Sequence, residues 1–116
     1  MKYLINREGE RNELGEVTLV AEEIIRKRVH KRNITPARSL KIVNHSPTGF
    51  EFGYGGSGPA QLALAILLDF TNDKLLSVSL HQDFKWKFIC VMDHPGGEIT
   101  AEQIREFIEG AKKHDG

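Results

Sequence analysis

A long apolar run behind a glycine-rich turn constrains the fold of this chain more than any other feature. The stretch 52–69 reads FGYGGSGPAQLALAILLD, with four glycines in its first seven residues. Proline favours the first turn of a helix, and small polar residues favour the position before it. We therefore predict a helix with Ser57 or Gly58 as its N-cap and Pro59 as its first helical residue. Apolar residues fill nearly every face up to Leu68, so this helix should be the buried centre of the domain.

Shorter segments before this helix alternate in polarity as strands do. Strands are predicted at residues 2–6 and 16–20, and a β-hairpin is predicted over 40–54 with its turn in HSPTGF. Residues 21–32 stay open. Glutamates four positions before basic residues favour a helix there, whereas β-branched residues favour a strand, with a slight preference against the helix.

The C-terminal half contains two further apolar segments and one clear helix start. Residues 75–83 fit a period of two or of four, and we prefer a helix because FTND before them offers a cap. KWKFICVM, residues 85–92, alternates and predicts a strand. Thr100 and Gln103 form a capping box that opens a last amphipathic helix.

Together these elements predict one α+β domain over residues 1–116. Its mainly antiparallel sheet of about four to five strands should pack against about three helices. A chain of 116 residues, 40% hydrophobic and 28% charged, is long enough for one core and too short for two. The single cysteine excludes an internal disulfide, and no apolar stretch approaches the ~20 residues of a membrane span. We expect a cytoplasmic protein without a membrane partner.

The glycine turn matches the G-x-G-x-x-G pattern of dinucleotide-binding loops at residues 53–58. The required βαβ context is missing, and no Lys-Ser or Lys-Thr pair follows as in a P-loop. No cofactor is predicted. A smaller anion could still bind the amides and the positive dipole end of the helix, because the turn has more glycines than a sharp bend needs. The residues of this ligand hypothesis are Gly55, Gly56, Ser57, Gly58, Tyr54, His45, Glu51 and Gln82.

Three segments carry a resemblance to a known family. VNHSPTGFEFGYGGSGPAQLALAILLD, HQDFKWKFICVM and ITAEQIREFI, in this order, resemble a small family of uncharacterised microbial and phage proteins, a domain of unknown function. Members commonly have Trp where this chain has Phe52. The family has no assigned activity, so the resemblance implies no catalytic residues. It implies that the charged N-terminal segment, residues 1–38, is variable and that residues 39–110 are the core.

The run IIRKRVHKR is a second candidate site, for nucleic acid, because phosphate contacts need only clustered cations. It contains no aromatic residue, so base stacking is not supported. Lys plus Arg and Asp plus Glu both number 16, so the whole chain has no net attraction to polyanions. The residues of this hypothesis are Arg26, Lys27, Arg28, Lys31 and Arg32.

No metal site and no catalytic residue are predicted. The scattered histidines lack the spacing of metal ligands, and GGSGP is not a nucleophile elbow, so Ser57 is expected to cap a helix. We expect a non-enzymatic interaction module, homodimeric or bound to another protein, that uses the glycine turn and the adjacent hairpin. The alternatives are a small anionic ligand-binding or enzymatic domain and a nucleic-acid-binding protein.

Overall fold

The computed structural model describes residues 1–8, 15–47 and 49–115, and within them it confirms the α+β class. Four antiparallel strands form one sheet in the spatial order β3-β2-β1-β4. The strands are β1 Lys2–Arg7, β2 Val17–Ile25, β3 Arg28–Ile34 and β4 Gly96–Thr100. The helices are α1 Ala37–Leu40, α2 Ser57–Thr71, α3 Lys74–Phe84 and α4 Ala101–Asp115, and a π-helical turn, Lys85–Ile89, extends α3.

The core lies between α2 and one face of the sheet. The strand register places Tyr3 opposite both Ala21 and Ile99, and all three side chains are buried. Every residue from Gly58 to Leu68 is buried as well, which confirms the predicted central helix. The Tyr3 hydroxyl donates a 2.7 Å hydrogen bond to Asp69 of α2. The polar end of this buried side chain therefore has a hydrogen-bond partner.

The segment left open between helix and strand, 21–32, forms most of the β2–β3 hairpin. Its strands are joined by a two-residue turn, Arg26 and Lys27, with φ values of 53° and 67°. Positive φ at both central residues is the type I′ geometry, which matches the twist of the flanking strands. Residues 23–31 are all exposed, so the helices do not cover the end of this hairpin.

The hairpin predicted over 40–54 is wrong, because the described residues of that segment form no strand. The buried side chain of Gln61, in α2, takes their hydrogen bonds instead. Its Oε1 accepts from the amides of His45 and Ser46 at 2.8 and 3.1 Å, and its Nε2 donates to the Val43 carbonyl at 3.1 Å. The backbone is thus satisfied by a side chain and needs no partner strand.

The strand predicted at 85–92 is also wrong, because the helical path of α3 continues there as the π-helical turn. The Cys90 amide donates to the Lys85 carbonyl at 2.9 Å, five residues back. Phe84 and Ile89, also five residues apart, are both fully buried. A turn of this spacing brings both side chains to the core, which an ordinary α-helix would not do as well.

Two helix starts follow the sequence prediction. The helix preferred for 75–83 is α3, and the Asp73 side chain caps it by accepting a 3.0 Å hydrogen bond from the Leu76 amide. At α4, the Thr100 amide donates to Gln103 Oε1 at 2.8 Å, and the Gln103 amide donates to Thr100 Oγ1 at 3.1 Å. These reciprocal bonds are the predicted capping box.

Candidate functional site

The glycine turn ends where α2 begins, one residue earlier than predicted. Gly56 is the N-cap, with an extended backbone at φ −132° and ψ −169°, and no side chain caps the helix. The assignment of the N-cap to Ser57 or Gly58 is therefore wrong, and Pro59 is the third helical residue. Proline is tolerated there because amides in the first helical turn have no intrahelical partner to lose.

Two aromatic rings fill the space that side chains would need in this turn. A Cβ at Gly55 would overlap Cη2 of Trp86 and lie 2.7 Å from its Cζ3, and a Cβ at Gly56 would lie 2.5 Å from Cε2 of Tyr54. Carbon atoms pack at about 3.5–4.0 Å, so neither position accepts a larger residue while the rings stay in place. The surplus glycines are thus explained by the close approach of the chain's own rings.

A carboxylate side chain already lies at the start of α2. A Cβ at Gly58 would come within 2.6 Å of the Glu51 Cβ. Both terminal nitrogens of Arg7 bind the Glu51 carboxylate, Nη1 at 3.2 Å, and the Arg7 guanidinium lies 5.0 Å from the ring centroid of Phe52. An added anion would find this place filled by the Glu51 side chain, and the nearby Arg7 guanidinium already has its own carboxylate partner. The geometry therefore weighs against the anionic-ligand hypothesis, which stays a prediction.

Tyr54 and Trp86 pack against the glycine turn and are nevertheless exposed. Their exposed fractions are 52% and 58%. The ammonium of Lys85, itself buried, lies 4.6 Å from the Trp86 ring centroid. Partial burial and then the nearby Glu51 carboxylate raise the pKa of the Tyr54 hydroxyl, so it remains a neutral hydrogen-bond donor at physiological pH. Rings fixed in this way lose little freedom when a partner covers them.

Two histidine rings meet between the segment after α1 and the end of α3. Nε2 of His45 lies 2.9 Å from Nε2 of His81, and Nδ1 of His81 lies 2.6 Å from the Val78 carbonyl oxygen. A carbonyl only accepts, so His81 donates from Nδ1, and its Nε2 accepts from His45. Nε2 of Gln82 lies 3.4 Å from Nε2 of His81. Burial, then His81 and Lys85, lower the pKa of His45.

The predicted ligand residues fall into two groups. Tyr54 and Glu51 line one side of the glycine turn, whereas His45 and Gln82 meet at His81. A groove of about 620 Å³ lies nearby, and of the eight predicted residues Glu51 alone lines it. The structure thus brings Tyr54 and Glu51 to the start of α2, places His45 and Gln82 at His81, and does not gather the eight residues around one cavity.

Sequence reasoning missed two residues that shape this region, Gln61 and Trp86. The signal for Gln61 was present, since a lone amide inside an apolar, buried helix needs internal hydrogen-bond partners. Its fourth bond, a 2.8 Å donation to Ser39 Oγ, completes that requirement. Trp86 was assigned to a buried strand, and no local signal in KWKFICVM indicates that its ring packs on a distant glycine.

The β2–β3 hairpin carries the predicted basic residues, but not all of them are equally available. Arg32 donates two hydrogen bonds to Asp69, at 2.6 and 3.0 Å, and so fastens the hairpin to α2. Lys31 lies 3.9 Å from the Glu22 carboxylate, a loose pair whose lysine is exposed, so the pair is worth little. The other three predicted cations are exposed at or next to the turn: Arg26, Lys27 and Arg28.

The two candidate surfaces lie at opposite ends of β1. Lys2, at the start of β1, lies opposite Glu22 in the strand register. From Glu22, β2 continues to the turn of the β2–β3 hairpin. Arg7, at the end of β1, binds Glu51 beside the glycine turn.

The described ranges contain no helix that is long and apolar enough to cross a membrane. The same residues bring together no group of three or more His, Cys, Asp and Glu side chains that could hold a metal ion.

The fold and this region define a small α+β domain whose central helix starts at a glycine turn covered by two of the chain's own rings. Residues 7–110 match the family of unknown function DUF6166, and the chain belongs to that family. The resemblance to an uncharacterised family is thereby confirmed. No curated protein and no solved structure was found to match the chain.

Proposed function

We propose that this chain is a non-enzymatic interaction module that binds a second copy of itself through the aromatic face, defined as Tyr54, Gly55 and Trp86. The observation that carries the proposal is the exposure of both rings, 52% and 58%, where they pack against the glycine turn. Tyr and Trp are enriched among the few residues that supply most of the energy of protein interfaces. Rigid rings serve this purpose at low entropic cost.

Charge supports a second copy as the partner. A two-fold interface places each surface against itself, so an unpaired charge close to the symmetry axis would face its own like charge. Beside the aromatic face, Arg7 and Glu51 neutralise each other, and Lys85 is buried beneath the Trp86 ring. The β2–β3 hairpin has clustered cations and would repel its own copy.

The acid–base groups near the aromatic face support a role without catalysis. Glu51 is engaged by Arg7, and both ring nitrogens of His81 are engaged, Nδ1 with the Val78 carbonyl and Nε2 with His45. A general base needs an available lone pair within reach of a substrate proton. The proposed cytoplasmic location is supported by composition alone, with Cys90 as the single cysteine.

Sedimentation velocity from micromolar to millimolar protein tests the proposal. A Trp side chain buries up to about 250 Å², so its exposed portion is worth about 3 kcal/mol per copy at ~25 cal/mol/Å². Trp86→Ser should therefore weaken self-association by at least about 100-fold. Leu75→Ser is the matched control, because it removes an apolar side chain that is 82% exposed at the far end of α3.

Two results would contradict the proposal. The first is a wild-type chain that stays monomeric over the whole concentration range. The second is a Leu75→Ser variant that dissociates as readily as Trp86→Ser does, because the effect would then reflect general surface hydrophobicity.

A further inference from the structure

We infer that the β2–β3 hairpin binds duplex DNA, with its turn entering a groove and its cations contacting the phosphates on either side. This site lies at the opposite end of β1 from the aromatic face. The inference therefore goes beyond the proposed self-association and does not depend on it.

The neutral net charge of the chain conceals a strong separation of charge. Residues 24–31 contain four Lys and Arg side chains and no Asp or Glu, and the carboxylates of the same hairpin, Glu22 and Glu23, lie just before them on β2. Since Lys plus Arg and Asp plus Glu both number 16 in the whole chain, the remainder has an excess of four carboxylates. Such a field attracts a polyanion to one end of the molecule and orients the molecule against it.

The turn itself places cations at the outermost point of the hairpin. Type I′ turns favour Asn-Gly because both central residues need positive φ. Here Arg26 and Lys27 adopt φ of 53° and 67° instead. An unfavourable backbone conformation that is kept in a fold points to a role for the side chains that it presents.

The dimensions of the hairpin fit a DNA groove. Its strands lie about 4.8 Å apart, and the major groove of B-DNA, about 12 Å wide, admits a two-stranded ribbon. The A-form groove of duplex RNA is too deep and narrow. Exposed Ile24 and Val29, which face each other across the strands, give the ribbon an apolar surface that can contact thymine methyl groups.

Fluorescence anisotropy with a labelled DNA duplex at several salt concentrations tests the inference. Four phosphate contacts predict that log affinity falls with log salt at a slope of about −3.6, which is about a 100-fold loss for a four-fold increase in salt. The double variant Arg26→Asn, Lys27→Gly removes two cations and installs the favoured turn residues. The slope of log affinity against log salt should become less steep in this variant, at about −1.8.

Two further variants separate charge from folding. Lys31→Gln leaves the turn unchanged and should make the slope of log affinity against log salt less steep by about 0.9. The double variant Lys41→Gln, Lys74→Gln removes two exposed lysines outside the hairpin and should bind as the wild type does.

Four results would overturn the inference. They are no DNA binding at low salt, wild-type affinity and slope in Arg26→Asn, Lys27→Gly, equal affinity for an RNA duplex of the same sequence, and binding to phosphatidylserine vesicles in the absence of DNA binding. The last two would assign the hairpin to a different polyanion or to a lipid surface.

Discussion

Replacing Gly58 with Ala should destabilise the protein, although alanine is the better helix former. The new Cβ would lie 2.6 Å from Cβ and 2.9 Å from Cγ of Glu51, and 3.3 Å from the Glu51 amide nitrogen. The nearest atom is fixed to the backbone, so the start of α2 and the segment around Glu51 must separate by about 1 Å. Overpacking of this kind costs about 1–3 kcal/mol, and the gain in helix propensity returns up to about 1 kcal/mol. We expect a net loss of about 1–2 kcal/mol.

Gly110→Ala in α4 is the matched control, because nothing lies within 4 Å of a Cβ at that position. There the same substitution should stabilise the protein by about 0.5–1 kcal/mol. Urea unfolding followed by far-ultraviolet circular dichroism measures both variants. If Gly58→Ala were as stabilising as Gly110→Ala, the glycine at the start of α2 would not be required by packing against Glu51.

Three further perturbations test the contacts around this turn. Gln61→Leu removes the side-chain oxygen that accepts hydrogen bonds from the His45 and Ser46 amides. The free energy of unfolding in urea should fall by about 3 kcal/mol. A fall of less than about 1 kcal/mol would contradict this role of Gln61. Asp73→Ala should lower the free energy of unfolding by about 1 kcal/mol through loss of the α3 cap, with Asp73→Asn near wild type. The pKa of His45 lies below its ordinary 6.5 in the fold, so the unfolded chain protonates first as the pH falls. The contribution of His45 to stability should thus be fully present above pH 6.5 and be lost as the pH falls from there to the folded pKa of His45, and His45→Gln should remove that component.

The central helix was predictable because its signal is local and strong. A run that is apolar on every face has no stable place except the core, and all residues 58–68 are buried there. The capping box at Thr100 and Gln103 was equally readable, since both partners lie within one turn. The signal for the helix start was less sharp, because Gly56 caps it without a side chain.

The errors come from long-range contacts that no local pattern encodes. The alternation in 40–54 suggested a hairpin, but the backbone partner of that segment is Gln61, 16 residues beyond His45. The alternation in 85–92 suggested a strand, but burial of both Phe84 and Ile89 favours a π-helical turn. In both segments, tertiary contacts outweigh local propensity.

The sequence indicated the glycine turn as a candidate site, but it did not reveal which groups pack against that turn. Four glycines within residues 53–58 indicated a candidate site at the start of the central helix, and that site stays a prediction. In the structure, side chains approach the backbone of this turn closely. The groups that approach are Trp86 and Tyr54 of the same chain, and the ring of Trp86 comes from a segment about 30 residues away. The sequence showed that residues 24–32 contain clustered cations. The strand register was needed to show that Arg26 and Lys27 form the turn of the hairpin.

The central claim, that the aromatic face binds a second copy, is tested most directly by isotope-filtered NOE spectroscopy on a mixture of labelled and unlabelled chains. Self-association through this face predicts intermolecular NOEs from the ring protons of Tyr54 and Trp86, lost in Trp86→Ser and kept in Leu75→Ser. Chemical shifts that do not change with concentration, or intermolecular NOEs confined to other surfaces, would contradict the claim.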